Sequence, residues 1–178
     1  MTAEWTTPIT WTVGQKPDAD DFNEQIRNNM EYLYERVGAA QLWVPVANFF
    51  QSSWGYLQSR STFPGAPLSG ADAYAEMSGI CPVSYAALAT AQILVIPTAT
   101  QAAADWDVSV EYAAPGEAYN AHSGSDTVTT YNVTADQIYA VDIKAILASI
   151  VAGDLMGVKL TQKTAGHNVH VLGLRLTW

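Results

Sequence analysis

Few side chains in this sequence have the types and spacing that chemistry requires. The three histidines are His122, in a polar run, and His167 and His170, which flank an expected hairpin turn. A His-x-x-His spacing places both rings on one face of a helix, but on a strand residues three apart point to opposite sides. We therefore expect solvated loop histidines here, and no metal site.

Carboxylates could supply acid–base chemistry or oxygen ligands for calcium. Asp105 and Asp107 would share one face of a predicted strand, and Glu111 and Glu117 form a second nearby pair. On an acidic protein such side chains mostly face solvent and maintain solubility. A calcium site built from Asp105, Asp107 or Asp126 stays open, but no motif supports it.

The sequence also lacks a recognisable nucleophile. It contains no G-x-S-x-G motif, and its glycines are too scattered to form a phosphate-binding loop. The single cysteine, Cys81, is followed by Pro82 and is expected to be a small buried apolar residue. We therefore predict a protein that is not an enzyme and has no cofactor and no metal, with a hydrolase as the weaker alternative.

Composition narrows the classes of partner. The chain has 8 Lys and Arg against 17 Asp and Glu, a net charge of −9, which gives it no attraction to a phosphate backbone. Hydrophobic residues make up 49% of its 178 residues, as in a folded globular protein. No apolar run approaches the roughly 18 residues of a membrane span, and Met1–Thr12 lacks the apolar core of a signal peptide. We expect no nucleic acid partner, no membrane insertion and no Sec-type export.

Residues 1–38 form the first predicted region, which begins with an extended arm. The arm contains three apolar side chains, Trp5, Ile9 and Trp11, among threonines. Exposed side chains of this kind need a surface to cover them, so the arm is predicted to attach the chain to a partner. Packing of the arm on its own domain is the alternative.

A helix is predicted after the arm. Asp18 is a candidate N-cap and Gly38 a stop signal. Apolar residues then follow at helical spacing and form one face of the helix, which we call the seam. They are Phe22, Ile26, Met30, Leu33 and Val37. We predict that Ile26, Met30, Leu33 and Val37 mediate self-association, since a and d heptad positions do so in coiled coils. An ordinary helix lying against its own domain is the alternative.

Residues 39–178 form the second predicted region, a domain of short strands. Alternation predicts half-buried strands at Trp106–Tyr112, Met156–Leu160 and Leu172–Trp178. Weaker candidates are Tyr85–Leu88, Gln92–Ile96, Thr127–Val133 and Ile138–Ile143, with a helical turn at Ala145–Ala152 and loops over Ser52–Gly79. About eight short strands with irregular crossings favour a two-sheet sandwich of jelly-roll type over a closed barrel.

Aromatic side chains in loop-like stretches could stack on a sugar ring. They are Trp54, Tyr56, Tyr74 and Tyr119, of which Trp54 and Tyr56 are the candidate glycan contacts. A role in the core or in a subunit contact is the alternative for all four.

Short sequence motifs near both ends of the chain resemble those of a known group of proteins. Near the start they are Trp11–Gln15, Ala19–Asn23, Ile26–Asn29 and Tyr32–Leu33, and near the end Ala152–Val158 and Val171–Leu176. Together they resemble virion proteins of tailed bacteriophages, in which a short arm and a helix precede a small β domain. The resemblance implies a structural virion component, commonly a trimer, that assembles in the host cytoplasm.

The sequence as a whole predicts a mainly β protein with an N-terminal arm and one α-helix before a jelly-roll-like sandwich. Its predicted function is that of a homotrimeric capsid-decoration or fibre protein attached to phage capsid or tail proteins. The alternative is a receptor- or glycan-binding tip domain of a tail fibre, with a host surface glycan as partner.

Overall fold

The structure is a computed structural model that describes residues 41–50, 57–82 and 87–178, together with residues 14, 18, 20, 29 and 30. The side chains of residues 128 and 129 are outside this description. The chain divides into two compact units, Met1–Ala40 and Gln41–Trp178.

In the first unit, Asp20, Asn29 and Met30 have helical backbone. The Asp20 backbone N–H donates to Asp18 Oδ1 at 3.0 Å, the contact expected of an N-cap side chain. The rest of the predicted arm and helix lies outside the described residues, so both stay predictions.

The second unit is a sandwich of two antiparallel sheets. Its strands are β1 (Gln41–Pro45), β2 (Asn48–Phe50), β3 (Gln58–Arg60), β4 (Phe63–Leu68), β5 (Tyr74–Ile80), β6 (Thr90–Pro97), β7 (Gln101–Ala113), β8 (His122–Val133), β9 (Tyr139–Asp142), β10 (Leu155–Gln162) and β11 (Val169–Thr177). One sheet has the order β3-β4-β11-β6-β9, with β1 also paired to β11, and the other has the order β2-β5-β10-β7-β8. The predicted mainly β sandwich is confirmed.

Alternating side chains of the two sheets meet in one core. Trp106 lies fully inside it, with its ring stacked on Tyr131 at 5.2 Å between centroids and edge-on to Tyr139 at 6.4 Å. The alternation at Trp106–Tyr112 and Met156–Leu160 is confirmed, because Val108, Val110, Val158 and their alternate neighbours are buried. The predicted helical turn is the 3-10 helix Lys144–Leu147.

The prediction of loops over Ser52–Gly79 is wrong where the structure describes that segment, since β3, β4 and most of β5 lie there. Prolines concealed β4, because Pro64 and Pro67 normally argue against a strand. The strand tolerates them since its pairings are short, with three residue pairs to β3 and three to β11. The described residues therefore form eleven strands, where about eight were predicted.

The inward alternation predicted for Leu172–Trp178 is wrong at Leu172. The pairing of β11 with β6 shifts between Val171 and Gly173, a bulge that moves one residue out of phase. Leu174 and Leu176 belong to the central core, but Leu172 does not and instead lines a groove on the outside of the six-stranded sheet.

Candidate functional site

The middle of the outward face of the five-stranded sheet is polar and is ordered in rows, beside the exposed apolar pair Ile80 and Leu155. Residues opposed across antiparallel strands share a face, so cross-strand pairs form rows perpendicular to the strands. The row named here the Gly157 row runs from β5 to β8 as Ser78, Gly157, Glu111 and Ser123. The adjacent Lys159 row runs from β2 to β8 as Asn48, Glu76, Lys159, Ser109 and Ser125.

Gly157 makes the Gly157 row the floor of an open groove. Among the described residues, nothing lies within 4 Å of a Cβ atom built on Gly157, so this part of the chain leaves the space above the backbone open. The depression has a volume of about 510 Å³ beside Lys159 and about 450 Å³ beside Tyr119. Both halves are lined by Ser78, Glu111 and Gly157, and we call them together the polar groove.

One wall of the polar groove is a fixed set of polar contacts. Asn48 Nδ2 donates to Glu76 Oε2 at 2.9 Å, and Lys159 Nζ lies 4.0 Å from Glu76 Oε1. The same ammonium lies 3.8 Å from the centroid of the Tyr74 ring, which stacks on Phe50 at 5.6 Å. Amide, carboxylate and ammonium therefore stand next to one another along this wall.

The other end of the groove is bordered by the loop between β7 and β8, which presents Tyr119. The loop is closed on itself, because Glu117 Oε2 accepts from the Ala114 backbone N–H at 3.0 Å and the Glu117 N–H donates to the Ala114 carbonyl at 3.0 Å. Tyr119 is 78% exposed and lines the groove. An exposed aromatic ring on a closed loop provides a surface on which a sugar ring can stack.

A second groove lies outside the six-stranded sheet and has a different character. It has a volume of about 320 Å³ and is lined by apolar groups, which are Trp43, Pro45, Val46, Leu57, Phe63, Pro64, Gly65, Leu94, Ile138 and Leu172. We call it the apolar groove. Trp43, Leu57, Phe63 and Ile138 are each 44–53% exposed. A hydroxyl-rich ligand would find almost no hydrogen-bond partner among these side chains.

The predicted N-terminal site residues are mostly beyond the described chain. Of the oligomerisation residues, Met30 is described and is 63% exposed, whereas Ile26, Leu33 and Val37 lie outside the described residues. The attachment residues Trp5, Ile9 and Trp11 also lie outside them, as do the candidate glycan contacts Trp54 and Tyr56. The roles of these residues stay predictions.

The histidines differ from expectation at one position. His170 is 4% exposed on β11, not solvated in a loop, and its Nε2 lies 3.3 Å from the Phe63 carbonyl oxygen. Burial is the main cause that lowers the pKa of His170, and nearby Arg60 lowers it further against the opposing effect of the Phe63 contact. His122 instead stacks on Tyr112 at 5.2 Å.

The carboxylate pairs take different roles. Lys163 Nζ lies 2.8 Å from Asp72 and 3.8 Å from Asp107, and its contacts with Asp72 are the main cause that raises the pKa of Lys163. Asp105 lies within 3.4 Å of the Thr164 hydroxyl. Among the described residues no cluster of three or more His, Cys, Asp or Glu could hold a metal ion.

Cys81 is the buried apolar residue predicted. It is 1% exposed, and burial, followed by the charge of Asp154, raises the pKa of its thiol. The described part of the chain also contains no helix long and apolar enough to cross a bilayer.

The comparisons with known proteins concern structure alone. No protein-family model matches the sequence, and no curated protein matches it. The structure is similar to a CBM36-1 domain of a multidomain xylanase from the hindgut metagenome of Trinervitermes trinervoides, with 10% identity, a TM-score of 0.42, and 77% of this chain and 96% of that chain covered.

Two further solved structures are similar at the same level. A family 35 carbohydrate-binding module from an environmental isolate is 14% identical, with a TM-score of 0.42 over 77% of this chain and 93% of that one. A CBM36 module solved with calcium and xylotriose is 11% identical, with a TM-score of 0.38 over 78% and 99%. Calcium and xylotriose were bound to that CBM36 module.

Proposed function

We propose that the β-sandwich binds a glycan in the polar groove. The observation that carries the proposal is the open space above Gly157. Small and polar side chains lie beside it in the same row, and the exposed ring of Tyr119 borders it. Sugars present hydroxyl groups and apolar ring faces together, so their sites combine hydrogen-bonding groups with an aromatic surface. The polar groove has both, and the apolar groove lacks the first.

The extent of the groove suits an oligosaccharide. The Gly157 row crosses four strands, and strands lie about 4.8 Å apart, so the row is about 14 Å long. A ligand lying along this row has the polar wall beside Lys159 on one side and the Tyr119 ring on the other.

Binding without hydrolysis fits the carboxylates better, since Glu117 at the Tyr119 end accepts from the Ala114 backbone N–H and Glu76 and Glu111 are far apart. Glycosidases place two carboxyl groups about 5–10 Å apart across the scissile bond. Glu76 and Glu111 lie two strands apart, about 10 Å sideways at about 4.8 Å per strand, and in different rows. Glu76 is also engaged by Asn48 and Lys159. We expect no release of reducing ends from a bound oligosaccharide.

The test is an oligosaccharide array followed by titration calorimetry on the full chain. Tyr119→Ala is expected to weaken binding about 5- to 30-fold, the loss of about 1–2 kcal/mol typical of an exposed aromatic contact. Tyr119→Phe, which keeps the ring, is the matched control and should bind like the wild type. A blank array, or equal loss in both variants, would contradict the proposal.

A place for this domain on a phage fibre is a further proposal that rests on residues 1–38 and on the resemblance to virion proteins. The exposure of Met30 supports it, since this side chain remains accessible to a second helix. Light scattering on the full chain should show a trimer, and Leu33→Asp should convert it to a monomer by placing three charges in one apolar seam. A wild-type monomer would end this proposal and leave glycan binding untouched.

A further inference from the structure

The polar groove contains an unbalanced negative charge. In the half beside Lys159, the charged lining residues are Glu76, Glu111 and Lys159. The single ammonium is already within 4.0 Å of Glu76 and lies over the ring of Tyr74, which belongs to the row beyond the Lys159 row. The Lys159 ammonium is therefore directed away from the Gly157 row.

Glu111 stands on the floor row, and no cation of the described residues pairs with it. It is opposed to Gly157 on one side and to Ser123 on the other, neither of which carries charge. Across residues 41–50, 57–82 and 87–178, the ion pairs involve Arg60, His122, Lys159 and Lys163, and none of them includes Glu111. At the Tyr119 end, Glu117 adds another carboxylate to the lining.

A ligand lying along the Gly157 row must meet the Glu111 carboxylate. An ionised carboxylate only accepts hydrogen bonds, and hydroxyl groups are suitable donors to it. A ligand carboxylate or sulfate in the same place would donate nothing and would be repelled, and the protein's net charge of −9 adds to that repulsion.

We propose, on the basis of the glycan site described above, that Glu111 makes the polar groove select uncharged glycan chains and reject acidic ones. Glu111 accepts hydroxyl hydrogen bonds from a neutral sugar over Gly157. Uronate-bearing, sialylated and sulfated chains are excluded by its charge. Glu111 is thus the residue that determines the class of ligand.

The experiment compares matched pairs of oligosaccharides on the full chain. The probes are short oligomers of glucose, mannose and galactose, each beside the corresponding uronate oligomer, in which a carboxylate replaces the primary alcohol. Titration calorimetry at low salt should show a neutral oligomer binding at least about tenfold more tightly than its uronate. Added salt should reduce the difference in affinity between the neutral oligomer and its uronate, since ions screen exposed charges.

Two variants locate the effect. Glu111→Gln keeps the size of the side chain and removes its charge, and it should reduce the neutral-to-uronate ratio at least about threefold. Asp136→Asn is the control, since it removes the same charge from a side chain that pairs with Arg60 and does not line the groove. It should leave the ratio unchanged.

The outcomes separate the two proposals. Equal or tighter binding of the uronate, or a ratio that Glu111→Gln does not alter, overturns the selectivity and leaves glycan binding standing. The absence of binding by every oligomer, neutral and acidic, overturns glycan binding and the selectivity with it.

Discussion

Gly157 and Gly173 occupy comparable places on the two sheets and have opposite consequences. Both lie in paired central strands, on β10 and β11. A Cβ on Gly157 would meet nothing within 4 Å, whereas one on Gly173 would lie 2.6 Å from the Val44 carbonyl oxygen and 2.7 Å from the Trp43 indole. The lack of a side chain at Gly157 leaves an open polar floor, whereas the backbone at Gly173 is covered by the indole ring of Trp43.

The difference shows that the outward faces of the two sheets have different chemistry. Over Gly173 the indole of Trp43 packs against backbone and borders the apolar groove. Over Gly157 nothing packs, and the polar groups of four strands converge on the space. A glycine kept open in a strand lowers stability, so the gap at Gly157 is consistent with close approach of a ligand to the backbone.

The largest expected effect is on stability at Gly173. Gly173→Ala should destabilise the fold by about 2–5 kcal/mol, since it adds overpacking and an unfavourable backbone conformation at a φ of +153°. Gly157→Ala is the matched control and should raise stability by up to about 1 kcal/mol, since its added methyl group meets no clash and restricts the unfolded chain. Urea denaturation followed by tryptophan fluorescence measures both, and equal losses would erase the contrast between the two faces.

The next effect is on binding at Gly157. Gly157→Val should fill the floor of the polar groove and weaken glycan binding at least about tenfold, about 1.4 kcal/mol, while the fold is retained. Thr161→Val, on the same strand but outside the groove lining, is the control and should bind normally. Undiminished affinity in Gly157→Val would place the ligand elsewhere.

A pH effect is expected on the six-stranded side, at the buried ring of His170. Burial lowers the pKa of His170 in the folded state, so below its ordinary value of about 6.5 the unfolded chain binds the proton more readily. Stability is therefore full above about pH 6.5 and falls as the pH drops toward the folded value. Denaturation midpoints between pH 7.5 and 5 should show this slope, and His170→Gln should flatten it.

The exposed His122 supplies the control for that measurement, because its side chain is 50% exposed. His122→Gln should keep the wild-type slope. If it removes the slope and His170→Gln does not, the assignment to the buried ring is wrong.

The smallest effect is expected at the Arg60–Asp136 pair, whose side chains are 37% and 68% exposed. Asp136→Asn should lower the free energy of unfolding by at most about 1 kcal/mol, because water and salt screen exposed pairs. The difference should vanish in about 1 M salt. A larger loss that salt does not change would contradict the assignment of this pair as a weak, solvent-screened contact.

The candidate site was only partly predictable. The sequence by itself places Tyr119 among the aromatic residues able to stack on a sugar, and Glu111 near the carboxylate of Glu117. Gly157 gave no signal, because an isolated glycine in a strand pattern does not reveal which residues oppose it. The pairing of β10 with β5 and β7 decides that Ser78 and Glu111 lie beside it.

Local alternation in the sequence determined the mainly β fold and the inward residues of β7 and β10, because a period of two is a property of each strand by itself. It failed at Leu172, since a bulge reverses the faces and arises from pairing with a distant strand. The expectation of a solvated loop histidine at His170 is wrong for a related reason, because burial depends on which elements cover a residue. Only the tertiary structure decided where two faces of one sandwich became polar and apolar, since that depends on register between strands far apart in the chain.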